Sequence, residues 1–248
     1  MKKKSKQDKI DQRVRKDIVS DLMRLEAALK KLFGQAFNTS EIDNAINTLT
    51  NYSETGKWGY EISELMIPIE INRHLKPATL KGENCLLSIS VKVKGSTTAW
   101  YKDIASEYFD ELNFDVSFSS NQESNDFEYN TQFHIDKVRQ NDSSEEMHPI
   151  FHVHYNNESG VIGSKEKRCL NTDLPRLAHH PVELILGTIL VIANYNSPKF
   201  EEIKDNGYWV GLSRSYMTKI VYPYYKKITE ILEKGGDEKS EYVPYLTI

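Results

Sequence analysis

Cysteine is scarce in this chain, with two among 248 residues. Two thiols build neither a disulfide framework nor a four-cysteine zinc site. Long apolar runs are missing as well. The longest, residues 182–193, falls short of the ~20 residues that cross a bilayer. The basic N-terminus runs into Asp11, Gln12 and Arg13 instead of an apolar segment, so no secretory signal is expected and the cytoplasm is the expected compartment. Excess positive charge is absent: the net charge is -4 and the pI about 6.0, which argues against nucleic-acid binding by bulk electrostatics. The chain also has no phosphate-binding glycine loop, no dinucleotide fingerprint, no His-Glu-x-x-His and no Gly-x-Ser-x-Gly.

The charge that is present is uneven. Lys2, Lys3, Lys4, Lys6, Lys9, Arg13, Arg15 and Lys16 stand against only Asp8 and Asp11 in the first sixteen residues. Such a stretch suits a phosphate backbone or an acidic partner, and equally a solvated, frayed terminus. From Ile10 the apolar residues Val14, Ile18, Leu22, Leu25, Leu29 and Leu32 recur every three or four positions, which predicts a helix stopping at Gly34. Thr39 and Ser40 offer an N-cap to a second helix striped by Ile42, Ala45, Ile46 and Leu49. Residues 51–60 read as a loop.

The period then changes to two. Ile67, Ile69 and Ile71 predict an edge strand, since Pro68 removes a ladder donor. Leu87 to Val93, ended by Gly95, predicts a second. Leu112 to Phe118, Tyr129 to Ile135, and Phe151 to Tyr155 complete five strands with one polar face. Trp100, Ile104 and Tyr108 suggest a short helix between the second and third. Residues 119–126 and 140–146 read as polar hairpin tips. Residues 156–171 form a longer loop with Lys165, Lys167 and Arg168.

Helical period returns after Pro175. Pro181 suits the first helical position, and residues 182–193 are apolar nearly all round, as in a buried helix. Asp205-Asn206-Gly207 breaks the pattern and Pro223 should kink or divide it. The expected fold is α+β: an antiparallel meander of about five strands, with N-terminal and C-terminal helices packed on one face. One domain over 1–248 is expected. It comprises a helical segment (1–55), the sheet (60–156), a functional-candidate loop (157–180), a second helical segment (181–236) and a tail (237–248).

Six of the seven histidines fall between His134 and His180. His152 and His154 are two apart on a strand, so their rings share a face. Pairing of the fourth and fifth strands brings Gln132, His134 and Asp136 to that face. His134, Asp136, His152 and His154 would suit zinc or another divalent ion. A merely polar sheet face also accommodates histidines, through neighbouring Asn, Gln and Tyr. His179 and His180 would have to approach from the following loop. Arg176, between Pro175 and Leu177 and close to Pro181, has a stiffened backbone, and a held guanidinium is a carboxylate or phosphate receptor. His180 at a helix start would have a lowered pKa. A structural loop explains both residues as well.

Cys169 sits beside Lys165, Lys167 and Arg168, which would favour its thiolate. His148 and His154 are possible bases for it. The order helix, meander, cysteine loop, helix, with His148-Pro149 upstream, resembles the ubiquitin-conjugating fold. Ile150 stands where that family's His-Pro-Asn tripeptide has Asn, and the spacing to the cysteine is longer. The resemblance implies a cysteine-dependent transfer protein using Cys169.

Three functions remain at this stage. The first is a non-enzymatic accessory protein that binds another protein of its system or a second copy of itself, with nucleic-acid contact open to the basic first helix. The AT-rich flavour of the composition and the lack of catalytic motifs suggest a bacterial mobile-element or anti-phage locus. The aromatic-rich stretch 195–245 and the apolar tail 242–248 would supply the interface. The second is a metal-dependent hydrolase or nuclease built on His134, Asp136, His152 and His154, with His180 as a further candidate and His152 and His154 as candidate catalytic residues. The third is the transfer protein just named.

Overall fold

The computed structural model describes residues 5–68, 85–100, 108–120, 127–137, 150–156, 161–162, 165–167 and 177–233. The chain is α+β: five antiparallel strands follow one another in a single sheet, with helices before and after them.

Helix α1 (Lys6–Phe33) starts four residues earlier than its apolar stripe, because Ser5 and Asp8 form a capping box. Each satisfies an amide that the first turn leaves open. The basic terminus is therefore an ordered helix from Lys6 onward. Arg15 is committed inside the protein, donating to the carbonyls of Tyr52, Glu54 and Lys57. Gly34 stops α1 with φ 100°, a conformation favouring glycine. Helix α2 (Ser40–Thr50) begins where expected, although the Thr39 hydroxyl donates to Glu26 at 3.2 Å instead of capping.

Strand β1 (Lys57–Ile67) corrects the expected start. Residues 57–60 belong to the strand, since Trp58, Tyr60 and Ile62 carry its buried face. Pro68 follows the strand, and its carbonyl accepts from Asn196 Nδ2 at 2.8 Å. Ile69 and Ile71 lie outside the described residues, as does Ile104 of the short helix expected between the second and third strands. The sheet continues through β2 (Cys85–Ser96), β3 (Phe109–Ser120), β4 (Phe127–Lys137) and β5 (Phe151–Asn156), with β1 at its edge. Gly95 lies within β2, at a register shift. A Cβ there would come 2.1 Å from the Tyr108 carbonyl oxygen and 2.7 Å from the Trp58 ring, so only glycine fits.

The segment expected as a long loop contributes short strands: β6 (Val161–Ile162), β7 (Lys165–Lys167) and β8 (Leu177–Ala178). β8 extends the sheet beyond β5, pairing Ala178 with His152. β7 pairs in parallel with β4.

After β8 come α3 (Leu184–Tyr195), α4 (Ser197–Ile203), α5 (Gly207–Tyr216) and α6 (Tyr222–Glu233). Glu183 is the N-cap of α3, two residues past Pro181, so proline precedes the helix instead of opening it. Asn196 and Asn206 cap α4 and α5 with their side-chain oxygens. Ahead of Pro223 the backbone stays helical through Tyr222. It widens into a π-turn over Met217–Val221, where the Tyr222 amide reaches back to the Met217 carbonyl. Pro223 then sits at the second residue of α6, directly after that widened turn, the kind of irregularity that lets a helix carry a proline.

The helices cover one face of the sheet. Phe114, Val116, Ile135 and Phe151 point toward them and are buried. α3 approaches so closely that a Cβ on Gly187 would lie 1.9 Å from the Phe114 ring. Tyr224 of α6 meets Phe151 edge-on at 5.8 Å. α1 adds Leu22, Leu25 and Leu29, all fully buried; truncating any one to alanine would cost ~2–5 kcal/mol. Because side chains alternate along a strand, the residues between these core positions face the other way. That second face carries the polar chemistry.

Candidate metal centre

Strand register builds the site. β3 places Asn113 and Asp115 on the polar face because Leu112, Phe114 and Val116 are held in the core. Two adjacent cross-strand rows result. One runs Asp115, His134, His154; the other runs Asn113, Asp136, His152. Directly opposed residues in an antiparallel pair have Cβ atoms ~4.5–5.5 Å apart, so each row is a contact series.

Among the described residues, His134, Asp136 and His152 bring one ligating atom each within 4.8 Å of one another. His152 Nε2 lies 3.0 Å from Asp136 Oδ1, and His134 Nε2 lies 3.8 Å from Asp136 Oδ2. His152 is 3% exposed and the His134 ring half-buried. His154 stands edge-on to the His134 ring, 5.0 Å between centroids, outside the converging triad. Lys92 and Lys94 flank the rows on β2 and both pair with Glu111.

The Asp136 carboxylate carries the unusual feature. Its Oδ1 is shielded from solvent and makes no hydrogen bond with any described group, despite the 3.0 Å approach of His152 Nε2. The two atoms are close without being aligned for a proton between them. Asn113 Oδ1, one row position away, is likewise buried and unbonded. Buried oxygens without partners cost ~1–3 kcal/mol each. A cation between acceptors relieves that cost. Asp115 completes the surroundings. Burial pushes its carboxyl above the usual aspartate value, against the opposing pull of His134, and the charge of Asp136 adds to the rise. Gln132 hydrogen-bonds it and partly offsets the effect.

No family model, curated protein or solved structure matches this chain.

The remaining expected residues distribute as follows. His179 and His180 do follow β8, and the His179 amide donates to the Phe151 carbonyl at 3.0 Å. Their rings lie against each other, 4.2 Å between centroids, and His180 Nδ1 meets the Tyr225 hydroxyl of α6 at 3.3 Å. His180 is thus directed at a tyrosine instead of the triad. Its pKa is lowered to about 4, as expected in direction, by burial and the neighbouring His179. It precedes the α3 N-cap by three residues, so the helix end expected to lower it does not begin at His180. Arg176, Cys169 and His148 lie outside the described residues.

One buried cluster lies outside every residue singled out from the sequence. Glu183, 3% exposed, accepts from the Ile185 and Leu186 amides at 2.9 Å and faces the Tyr60 hydroxyl at 3.5 Å. Burial raises its pKa to about 7 against the pull of those two amides. Tyr216, itself raised well above its ordinary value by burial, stands beside it with Asp21, which also pairs with Lys219 at 3.4 Å. A glutamate at the head of an apolar run was the only hint.

Proposed function

We propose that this protein binds a divalent transition ion, zinc by preference, through His134, Asp136 and His152, and that it is a metal-dependent hydrolase. The observation that carries this reading is the convergence of the three ligands around a buried Asp136 oxygen with no hydrogen-bond partner among the described residues. Two imidazoles and a carboxylate match the donor set of catalytic zinc, which keeps a further position for water. Ligands on tetrahedral zinc lie roughly 3.3 Å apart, given bonds near 2.0–2.1 Å, so small side-chain rotations bring this triad into range. The ion would act as a Lewis acid and lower the pKa of bound water. His154 and Asp115 border the triad and would orient its ligands or the substrate.

Untagged protein dialysed against zinc or cobalt(II), followed by elemental analysis, tests the binding. About one equivalent should be retained by the native chain, and Asp136→Asn or His152→Ala should retain less than about a tenth while melting cooperatively. Less than a tenth of an equivalent in the native chain refutes the reading. Hydrolysis of p-nitrophenyl acetate and bis(p-nitrophenyl) phosphate by the loaded native protein tests the second part. Activity at the level of Asp136→Asn for both substrates counts against a hydrolase.

A second reading, docking of a partner protein or a second copy, is favoured by Tyr222 and Tyr225 of α6, 63% and 51% exposed on one helix. Exposed tyrosines supply anchors at interfaces. Sedimentation of the purified chain and co-purification from its native host test it; a lone monomer in both counts against it.

A further inference from the structure

A cleft of about 380 Å³ opens among α3, α4, α5 and the start of the π-turn. Its apolar lining includes Ile189, Phe200, Ile203, Trp209 and Met217. Small-molecule sites are concave, largely apolar and oriented by a few polar groups. Among the described lining residues the charged groups are of one sign. Lys204 and Arg214 line the cleft and, among the described residues, no carboxylate does. Lys204 is paired with Glu201 at 2.5 Å. Arg214 is exposed and has no carboxylate partner among the described residues. Its place in the last turn of α5 favours that helix, which explains a cation there but not the apolar hollow beneath it. Met217, 44% exposed, is the first residue of the π-turn. Such turns often mark functional positions, and a methionine wall adapts to varied apolar shapes.

We propose that this cleft binds an amphipathic monoanion, an acyl or aryl carboxylate, whose apolar body lies on Trp209 and Ile203 and whose head pairs with Arg214. The guanidinium presents two parallel donors to a carboxylate, a geometry that a lone ammonium does not offer. This site lies in the helical layer, away from the polar sheet face, and stands independently of the metal reading.

Decanoate, octanoate, decanol and decyltrimethylammonium, each below its micelle concentration, are the probes. They are titrated against the full chain while tryptophan fluorescence is followed, with Trp209→Phe as the control for signal origin. Decanoate should bind once per chain, about tenfold tighter than the alcohol or the cation. Each methylene removed should weaken it by about fourfold. Arg214→Ala should lower decanoate affinity about tenfold and leave decanol unchanged, with Arg214→Lys in between. Met217→Trp, filling the mouth from an exposed position, should reduce binding of all the probes. Equal binding of anion and cation, indifference to Arg214→Ala, or a signal surviving in Trp209→Phe overturns the proposal. So does a dimer by sedimentation that Met217→Trp disrupts and decanoate does not, because the cleft's occupant is then a second copy.

Discussion

Glu183 gives the sharpest test of the buried chemistry. Its folded pKa, about 7, stands above the ordinary glutamate value of 4.5 because burial disfavours the charged form. Below pH 4.5 both folded and unfolded chains hold the proton, and the group has no effect on stability. As pH rises toward 7, the unfolded chain releases the proton while the folded one keeps it, so stability falls. Above 7 both are ionised and the loss is complete. The gap between 4.5 and about 7, at 1.36 kcal/mol per pH unit, amounts to about 3 kcal/mol. Glu183→Gln keeps the shape and one acceptor for the α3 amides but cannot ionise. Urea unfolding of both proteins near pH 4.5 and near pH 8 isolates this group, since all other titrations cancel in the difference. At low pH the glutamine variant should match the native chain to within about 1 kcal/mol, since the protonated carboxyl it replaces also keeps only one strong acceptor. At high pH it should gain about 3 kcal/mol on the native chain and become the more stable. A stability difference that does not change with pH refutes a raised Glu183.

Other outcomes follow from the same packing. Gly187→Ala, normally worth up to ~1 kcal/mol of helix propensity, should instead destabilise by about 1–3 kcal/mol, because its Cβ would meet the Phe114 ring at 1.9 Å; a raised melting temperature contradicts this contact. Arg15→Ala should cost about 1–3 kcal/mol in urea unfolding as the carbonyls of Tyr52, Glu54 and Lys57 lose their donor, and an unchanged midpoint removes its structural role. Zinc at about a hundred times its dissociation constant should stabilise the native chain by about 2.7 kcal/mol and leave Asp136→Ala unmoved. Retained zinc should fall on acidification, since an imidazole ligates a metal only in its neutral form; uptake independent of pH argues against imidazole ligands.

The sheet was legible because its period is simple. Leu112, Phe114 and Val116 announce both a strand and which face is buried, and the polar face of Asp115, His134 and His152 follows from the same alternation. β1 was misplaced because Gly56, Gly59 and Tyr60 read as loop chemistry. Its burial depends on partners distant in sequence, Trp100 and Phe109 at Trp58 and Glu183 at Tyr60, which local pattern does not encode. Pro223 was expected to kink or divide a helix, and a π-turn does interrupt the regular helix just before it. The converging triad was legible in its members but not in its selection. Pairing His134 with His154 across the ladder sets those rings edge-on, and the diagonal through Asp136 is what draws His152 in. Asn113 had no signal at all, since one asparagine on a strand is ordinary until its oxygen is found without a donor.

The strict division of the sheet into an apolar and a polar face has a further consequence, for how this protein can change over generations. Asp115, His134, Asp136 and His152 occupy the positions that the core leaves out, so exchanging any of them alters the chemistry without repacking Phe114, Ile135 or Phe151. A shift of one residue between β4 and β5 would do the opposite, turning the core outward and scattering the ligands together. Point substitution and strand slippage therefore explore different territory. The first lets the polar face drift from one ligand set to another within a constant fold, and the second is closed to it.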